Sequence, residues 1–202
     1  MKKIVFFLSL MIVVSCKSQN KKDILPSVDN KFEKFDSNKI KDSDVLREFL
    51  SNGNYIEINA ANSGKYYQET FKDSYYMISK SYYPNGNIKS KGAGFNGDGF
   101  QIGKWYEFDE KGNLIKEVDY DKPYKFTFED ILMFCEKEGI SLTKGPVLQS
   151  TGFHTTIIRR VEKEKPVWVI EWRKKSNVLE TITLDGTTGK VISRRDSEYI
   201  NN

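Results

Sequence analysis

The chain has 202 residues, with 32 Lys and Arg against 28 Asp and Glu for a formal net charge of +4, and it carries two cysteines and one histidine. So even a charge balance argues against a nucleic-acid partner, which would draw on a concentrated basic surface. One histidine and two cysteines are too few for the four-ligand His/Cys sets of structural zinc sites.

At the start of the chain, Lys2 and Lys3 precede an apolar run from Ile4 to Val14. Eleven residues are too few to cross a bilayer core of ~30 Å as a helix, but they suit the apolar region of an export signal. The run ends in Val13-Val14-Ser15-Cys16, which resembles the bacterial lipobox, where aliphatic and small residues stand ahead of an obligatory cysteine. The resemblance implies a lipoprotein signal peptide over residues 1–15 and an acylated Cys16 that holds the protein to a lipid membrane. Several acyl chains at ~0.8 kcal/mol per buried CH₂ anchor stably without a transmembrane helix. The implied location is the bacterial cell envelope, at the outer membrane, with the periplasmic or surface side left open. An ordinary secretory signal, with Cys16 incidental, is the alternative. With Cys16 lipidated, Cys135 stands alone and no internal disulfide is expected. Loss of Lys2 and Lys3 lowers the formal charge from +4 to +2.

Residues 16–44 are rich in Lys, Asp and Asn and read as a flexible tether. Val45–Leu50 reads as a short helix capped by Ser43 or Asp44. Residues 45–123 then change to period two with frequent turns. Tyr55–Asn59, Lys65–Phe71 and Ser74–Tyr83 are aromatic and β-branched, as strands prefer. Two similar hairpins follow, turning at Pro84–Asn87 and Asp109–Asn113. Gly86 and Gly112 stand 26 residues apart, within the range of β repeat arrays. Alternation puts Trp105 and Glu107 on one face, and Lys104, Tyr106 and Phe108 on the other. Tyr83, Gly86, Gly103, Trp105, Tyr106, Gly112, Leu114 and Tyr120 together resemble the variant MORN repeat of exported bacterial proteins, some of them described as antitoxin-like. That likeness implies a meander of hairpins forming an elongated sheet, and no catalytic module.

Residues 124–202 form a second unit. Thr127 is a candidate N-cap with Asp130 three residues on, and Gly139 is a candidate C-terminal stop. Between them Phe128, Ile131, Leu132 and Cys135 make one apolar stripe. Strands are expected at Thr155–Glu162, Pro166–Trp172, Val178–Asp185 and Lys190–Arg195. A helix followed by antiparallel strands, ending in Leu184, Asp185, Gly189, Lys190, Val191 and Ile192, resembles the PepSY domain, although the segment Leu142–Phe153 is long for it. That likeness implies protease inhibition or peptide binding. The expected fold class is α+β: an antiparallel β-hairpin repeat region, then a helix packed on an antiparallel sheet.

Catalytic signals are sparse. His154 lies near Ser150 and Thr151, so a hydrolase is one reading, but no nucleophile-elbow pattern accompanies them. Cys135 falls on the buried stripe, where a reactive thiol is not expected. Asn96–Gly99 lacks the spacing of a calcium loop, and Gly92–Gly99 lacks the context of a dinucleotide fingerprint. Neither metal nor cofactor is expected. Binding has two candidate surfaces. Tyr83, Trp105 and Tyr106 belong to an aromatic-rich repeat region. Arg159, Arg160, Arg173 and Arg195 cluster on the last strands, with Glu162, Glu171 and Glu180 interleaved as possible ion-pair partners. These features lead to the expectation of a non-enzymatic, membrane-anchored envelope lipoprotein with a protein or peptide partner. An immunity, antitoxin-like or protease-inhibitor protein is the narrower alternative.

Overall fold

The computed structural model describes residues 23–40, 44–97, 99–148 and 152–199. The signal segment, Cys16, the proposed cap Ser43, and Ser150 and Thr151 lie outside the described residues. Among the described residues no helix is long and apolar enough to cross a membrane.

Seven strands form an antiparallel meander in chain order: β1 (Val45–Phe49), β2 (Tyr55–Ala61), β3 (Gly64–Thr70), β4 (Tyr76–Tyr82), β5 (Ile88–Phe95), β6 (Gln101–Phe108) and β7 (Leu114–Asp119). One helix, α1 (Phe128–Glu138), leads to a second antiparallel sheet of β8 (Thr156–Glu162), β9 (Lys165–Lys175), β10 (Val178–Asp185) and β11 (Val191–Glu198), in the order β11-β10-β9-β8. The architecture is α+β, with two antiparallel sheets and a single helix.

The helix forms where its local signals place it. Thr127 accepts a hydrogen bond from the Asp130 backbone N–H, and the Asp130 carboxylate accepts from the Thr127 N–H at 2.8 Å, a reciprocal capping box. Gly139 ends the helix at φ 71°, ψ 22°, the left-handed conformation glycine adopts without a Cβ penalty. Phe128, Ile131 and Cys135 are buried and Leu132 is partly so. They share one core with Tyr76, Phe95 and Ile102 of the large sheet and with Ile157, Trp168, Ile170, Ile182 and Leu184 of the small one. A division at residues 123 and 124 falls between the sheets, yet this core draws side chains from both.

The repeated hairpins lie side by side. Gly86 (φ +84°) and Gly112 (φ +91°) supply the positive φ of the two turns. The first tip donates to the second: Asn87 Nδ2 to Glu110 O at 2.8 Å, and Tyr83 O–H to Phe108 O at 2.9 Å. Repetition thus joins neighbouring tips as well as widening the sheet.

Two expectations are corrected. Val45–Leu50 is not a helix; Val45–Phe49 is an edge strand paired in register with Tyr55–Asn59. Six residues are too few to separate period two from period 3.6, and the open edge of β2, with a cross-strand ion pair from Arg47 to Glu57 at 2.9 Å, favours the strand. The tether reading fails for residues 23–40, which run across one face of the large sheet as a strap. Val28, Phe35 and Ile40 pack on a core of Ile56, Ile58, Tyr67, Tyr82, Ile88, Tyr106 and Phe108. Backbone bonds fix the strap to the first hairpin, from Phe35 N to Gly86 O at 2.8 Å and from Ile88 N to Glu33 O at 3.0 Å. Its carboxylates meet lysines that rise from the sheet. Lys91, with a side chain only 3% exposed, reaches Asp29 at 2.9 Å, and Lys80 reaches Glu33 at 2.9 Å. A lysine so deeply buried needs such a partner, because an isolated charge in the interior is costly.

Candidate functional site

Between strap and sheet lies an open-sided cavity of ≈ 290 Å³, whose lining includes Glu33, Asp36, Lys39, Tyr67, Glu69 and Tyr82. Its polar groups largely pair with one another. Tyr67 O–H donates to Glu69 at 2.8 Å, Tyr82 O–H donates to Glu33 at 2.9 Å, and the Lys39 ammonium sits 4.7 Å above the Tyr67 ring. Burial, reinforced by these carboxylates, pushes both phenols well above their ordinary range. They are hydrogen-bond donors at neutral pH, not nucleophiles or bases. Burial alone would raise Glu33, but its contacts with Lys80, Tyr82 and Lys91 outweigh that and hold it below the ordinary carboxylate value. The arrangement fastens the strap.

The small sheet sorts the arginines. Residues directly opposite across an antiparallel pair share a face, and successive residues alternate. The face toward α1 holds Ile157, Trp168, Ile170, Ile182 and Leu184. Arg159 shares the phase of Ile157 and so points inward. Its side chain is 6% exposed, bonded to Asp121 at 2.6 Å and to the Gln101 carbonyl. Its guanidinium also lies 5.2 Å from the centroids of Phe100 and Tyr124. Arg159 is therefore a clamp between the sheets and is withdrawn from the expected surface cluster. Arg194, also inward, pairs with Glu138 and with Glu180.

Arg160, Arg173 and Arg195 take the opposite phase and share the outer face. Thr156, Glu171, Thr181 and Arg195 form one cross-strand row, and Ile158, Val169, Thr183 and Ser193 form the next. Arg160 pairs with Glu162 at 2.6 Å, and Arg173 lies over the rings of Phe153 and Tyr199 at 5.9 and 5.6 Å. Ile158 stands 42% exposed beside them. Ile158 was not expected as a site residue, since it and Ile157 both look like strand core until the register shows which phase is filled.

The aromatic candidates divide as well. Tyr106 is buried in the strap-side core, which removes it from any surface. Tyr83 is half-buried, with its hydroxyl tied to the neighbouring hairpin and Lys89 over its ring at 5.6 Å. Trp105 lies on the face opposite the strap, half-buried, donating to Ala93 O at 2.8 Å.

His154 Nδ1 lies 2.8 Å from Thr143 Oγ1. Cys135 is buried, and burial pushes its thiol up to about 12, so it stays protonated at neutral pH. Among the described residues no group of three or more His, Cys, Asp or Glu is placed to hold a metal ion. No family model, curated protein or solved structure matches the chain.

Proposed function

We propose that this chain is a non-enzymatic, lipid-anchored protein of the bacterial cell envelope that binds a protein or peptide partner through the outer face of its small sheet. The observation that carries the reading is the segregation of arginines. Arg160, Arg173 and Arg195 stand on one face with the exposed Ile158, whereas Arg159 and Arg194 turn inward. Arginine beside aliphatic surface suits an acidic, partly apolar segment, since guanidinium groups bond carboxylates in forked geometry. The lipobox-like Val13–Cys16 supports the anchor. The MORN-like hairpins and the PepSY-like helix and sheet, as sequence resemblances, support binding over catalysis. An immunity protein or inhibitor is the narrower form of the same reading, marked by a tight one-to-one partner.

Photo-crosslinking in cells tests this reading. Crosslinkers at Ile158 and Thr183 are expected to give a discrete adduct, and one at the exposed Met133 of α1 is not. No adduct from either sheet position, or equal labelling from all three, contradicts the proposal.

A further inference from the structure

We propose that the uncovered face of the large sheet binds an uncharged oligosaccharide, with Trp105 as the stacking platform. This site lies apart from the arginine face and does not depend on it. A Cβ built on Gly92 would stand 2.3 Å from Cδ2 and Cε2 of Trp105 and 2.4 Å from Cδ1. Nearly equal distances to three atoms of the five-membered ring place the indole flat over the Gly92 Cα. The indole N–H donates to Ala93 O at 2.8 Å, and Tyr120 meets the ring edge-on at 6.3 Å and 82°. One π face therefore rests on the backbone and the other turns away from the sheet. Trp105 belongs to neither hydrophobic core.

The surroundings are polar, with the charged Arg47, Glu57, Glu107 and Lys116 in ion pairs. Cross-strand register aligns Gln68, Ser79 and Gly92 in one row, with Trp105 lying over Gly92 at its end, and Tyr66, Ser81, Ser90 and Glu107 in the next. Tyr66, 37% exposed, bonds to Gln68 at 2.9 Å and Ser79 at 3.2 Å, and Ser81 lies 2.7 Å from Ser90. The charges on this face cancel at its two ends, where Arg47 pairs with Glu57 at 2.9 Å and Lys116 with Glu107 at 3.2 Å. Four strands at about 4.8 Å spacing make the polar row roughly 14 Å long, more than one sugar ring.

That combination selects the occupant. A pyranose offers one flat face of C–H groups, which stacks on the electron-rich face of an indole, and a rim of hydroxyls for serine, tyrosine and glutamine. A ring held flat before binding loses little freedom on binding. A nucleobase also stacks, but single-strand nucleic-acid sites add an unpaired cationic groove, and here the cations are matched. A protein partner needs an apolar interface centre, and here Trp105 stands among glycine, serine and glutamine, while the exposed Val45 and Phe49 lie away on the edge strand.

The test titrates the full chain in detergent with tetrasaccharides of β-linked glucose, N-acetylglucosamine and mannose, and with a ten-residue oligothymidylate, by calorimetry. One or more tetrasaccharides are expected to bind, at least tenfold more weakly to Trp105→Ala and within about threefold of wild type to Trp105→Phe. Gln68→Ala, which alters neither core, is expected to weaken binding severalfold with an unchanged circular dichroism spectrum. Failure of every tetrasaccharide to bind overturns the proposal, as does binding unaffected by Trp105→Ala and Gln68→Ala. Salt-sensitive binding of the oligothymidylate alone overturns it in favour of nucleic acid.

Discussion

Arg159 and Arg160 are adjacent and identical in type, yet the fold assigns them opposite roles, so replacing each by methionine separates the two. Arg159→Met removes the ion pair to Asp121 at 2.6 Å, the bond to the Gln101 carbonyl, and the cation over the rings of Phe100 and Tyr124. Hydrogen bonds to a charged group are each worth about 1.5–3 kcal/mol, and a desolvated cation over a ring adds about 1–2 kcal/mol. The sum is discounted, because Asp121 is 44% exposed and regains water, and because methionine keeps much of the buried stem. A net loss of about 2–3 kcal/mol is expected. With a urea slope of about 2 kcal/mol/M for a chain of this size, the unfolding midpoint falls by about 1–1.5 M. Arg160→Met removes only a surface pair with Glu162 and is expected to cost under about 0.5 kcal/mol. Equal midpoints for the two variants, or a shift below about 0.3 M for Arg159→Met, would refute the inward placement of Arg159. Because one core joins the two sheets, both variants are also expected to unfold in a single transition.

Deleting residues 23–40 should uncover the core around Tyr82, Ile88 and Phe108 and strand Lys91 without its carboxylates. The loss, on the order of 5 kcal/mol from apolar exposure alone, should appear as dye binding to exposed hydrophobic surface or as insolubility, and a truncated chain as stable as the parent would contradict the strap's role. Glu180 is buried and bonded to Trp172, Lys174 and Arg194; burial alone would raise its carboxyl, but those three contacts together hold it below its ordinary value. Its contribution is present above the unfolded carboxylate pKa, about 4.3, and is lost as pH falls through the lower folded value. Stability of the parent should therefore drop more steeply below about pH 4.5 than that of Glu180→Gln, and parallel acid titrations would contradict this. In a Cys16→Ser chain, Cys135 should resist thiol reagents at pH 8 until denaturant unfolds the protein; rapid labelling of the native form would contradict its burial.

The helix was legible because its information is local. Thr127, Asp130 and Gly139 act within a turn of where they stand, and the stripe of Phe128, Ile131 and Cys135 needs only one period. The hairpins were legible for the same reason, through Gly86 and Gly112. The strap was not. Residues 23–40 are held by Lys80, Lys91 and the Gly86 turn, partners 47 to 62 residues away for the side-chain bonds, and nothing local distinguishes a lysine-rich tether from one whose carboxylates meet buried lysines. Arg159 posed a different difficulty. Ile157 and Ile158 are both apolar, so alternation alone leaves the inward phase open until Tyr124 and Phe100 are seen to receive the guanidinium. Tyr106 could have been placed from the sequence, since it shares phase with Phe108, the more apolar of the two alternating sets on β6.

The measurement that bears most directly on the proposed function is affinity capture from native envelopes, comparing the parent with Arg160→Glu/Arg195→Glu and with Arg47→Glu as a surface control. A partner retained stoichiometrically by the parent and by the control, but lost from the double variant, is the expected result. A partner retained equally by all three, or none retained by the parent at any salt concentration, would contradict binding through the arginine face.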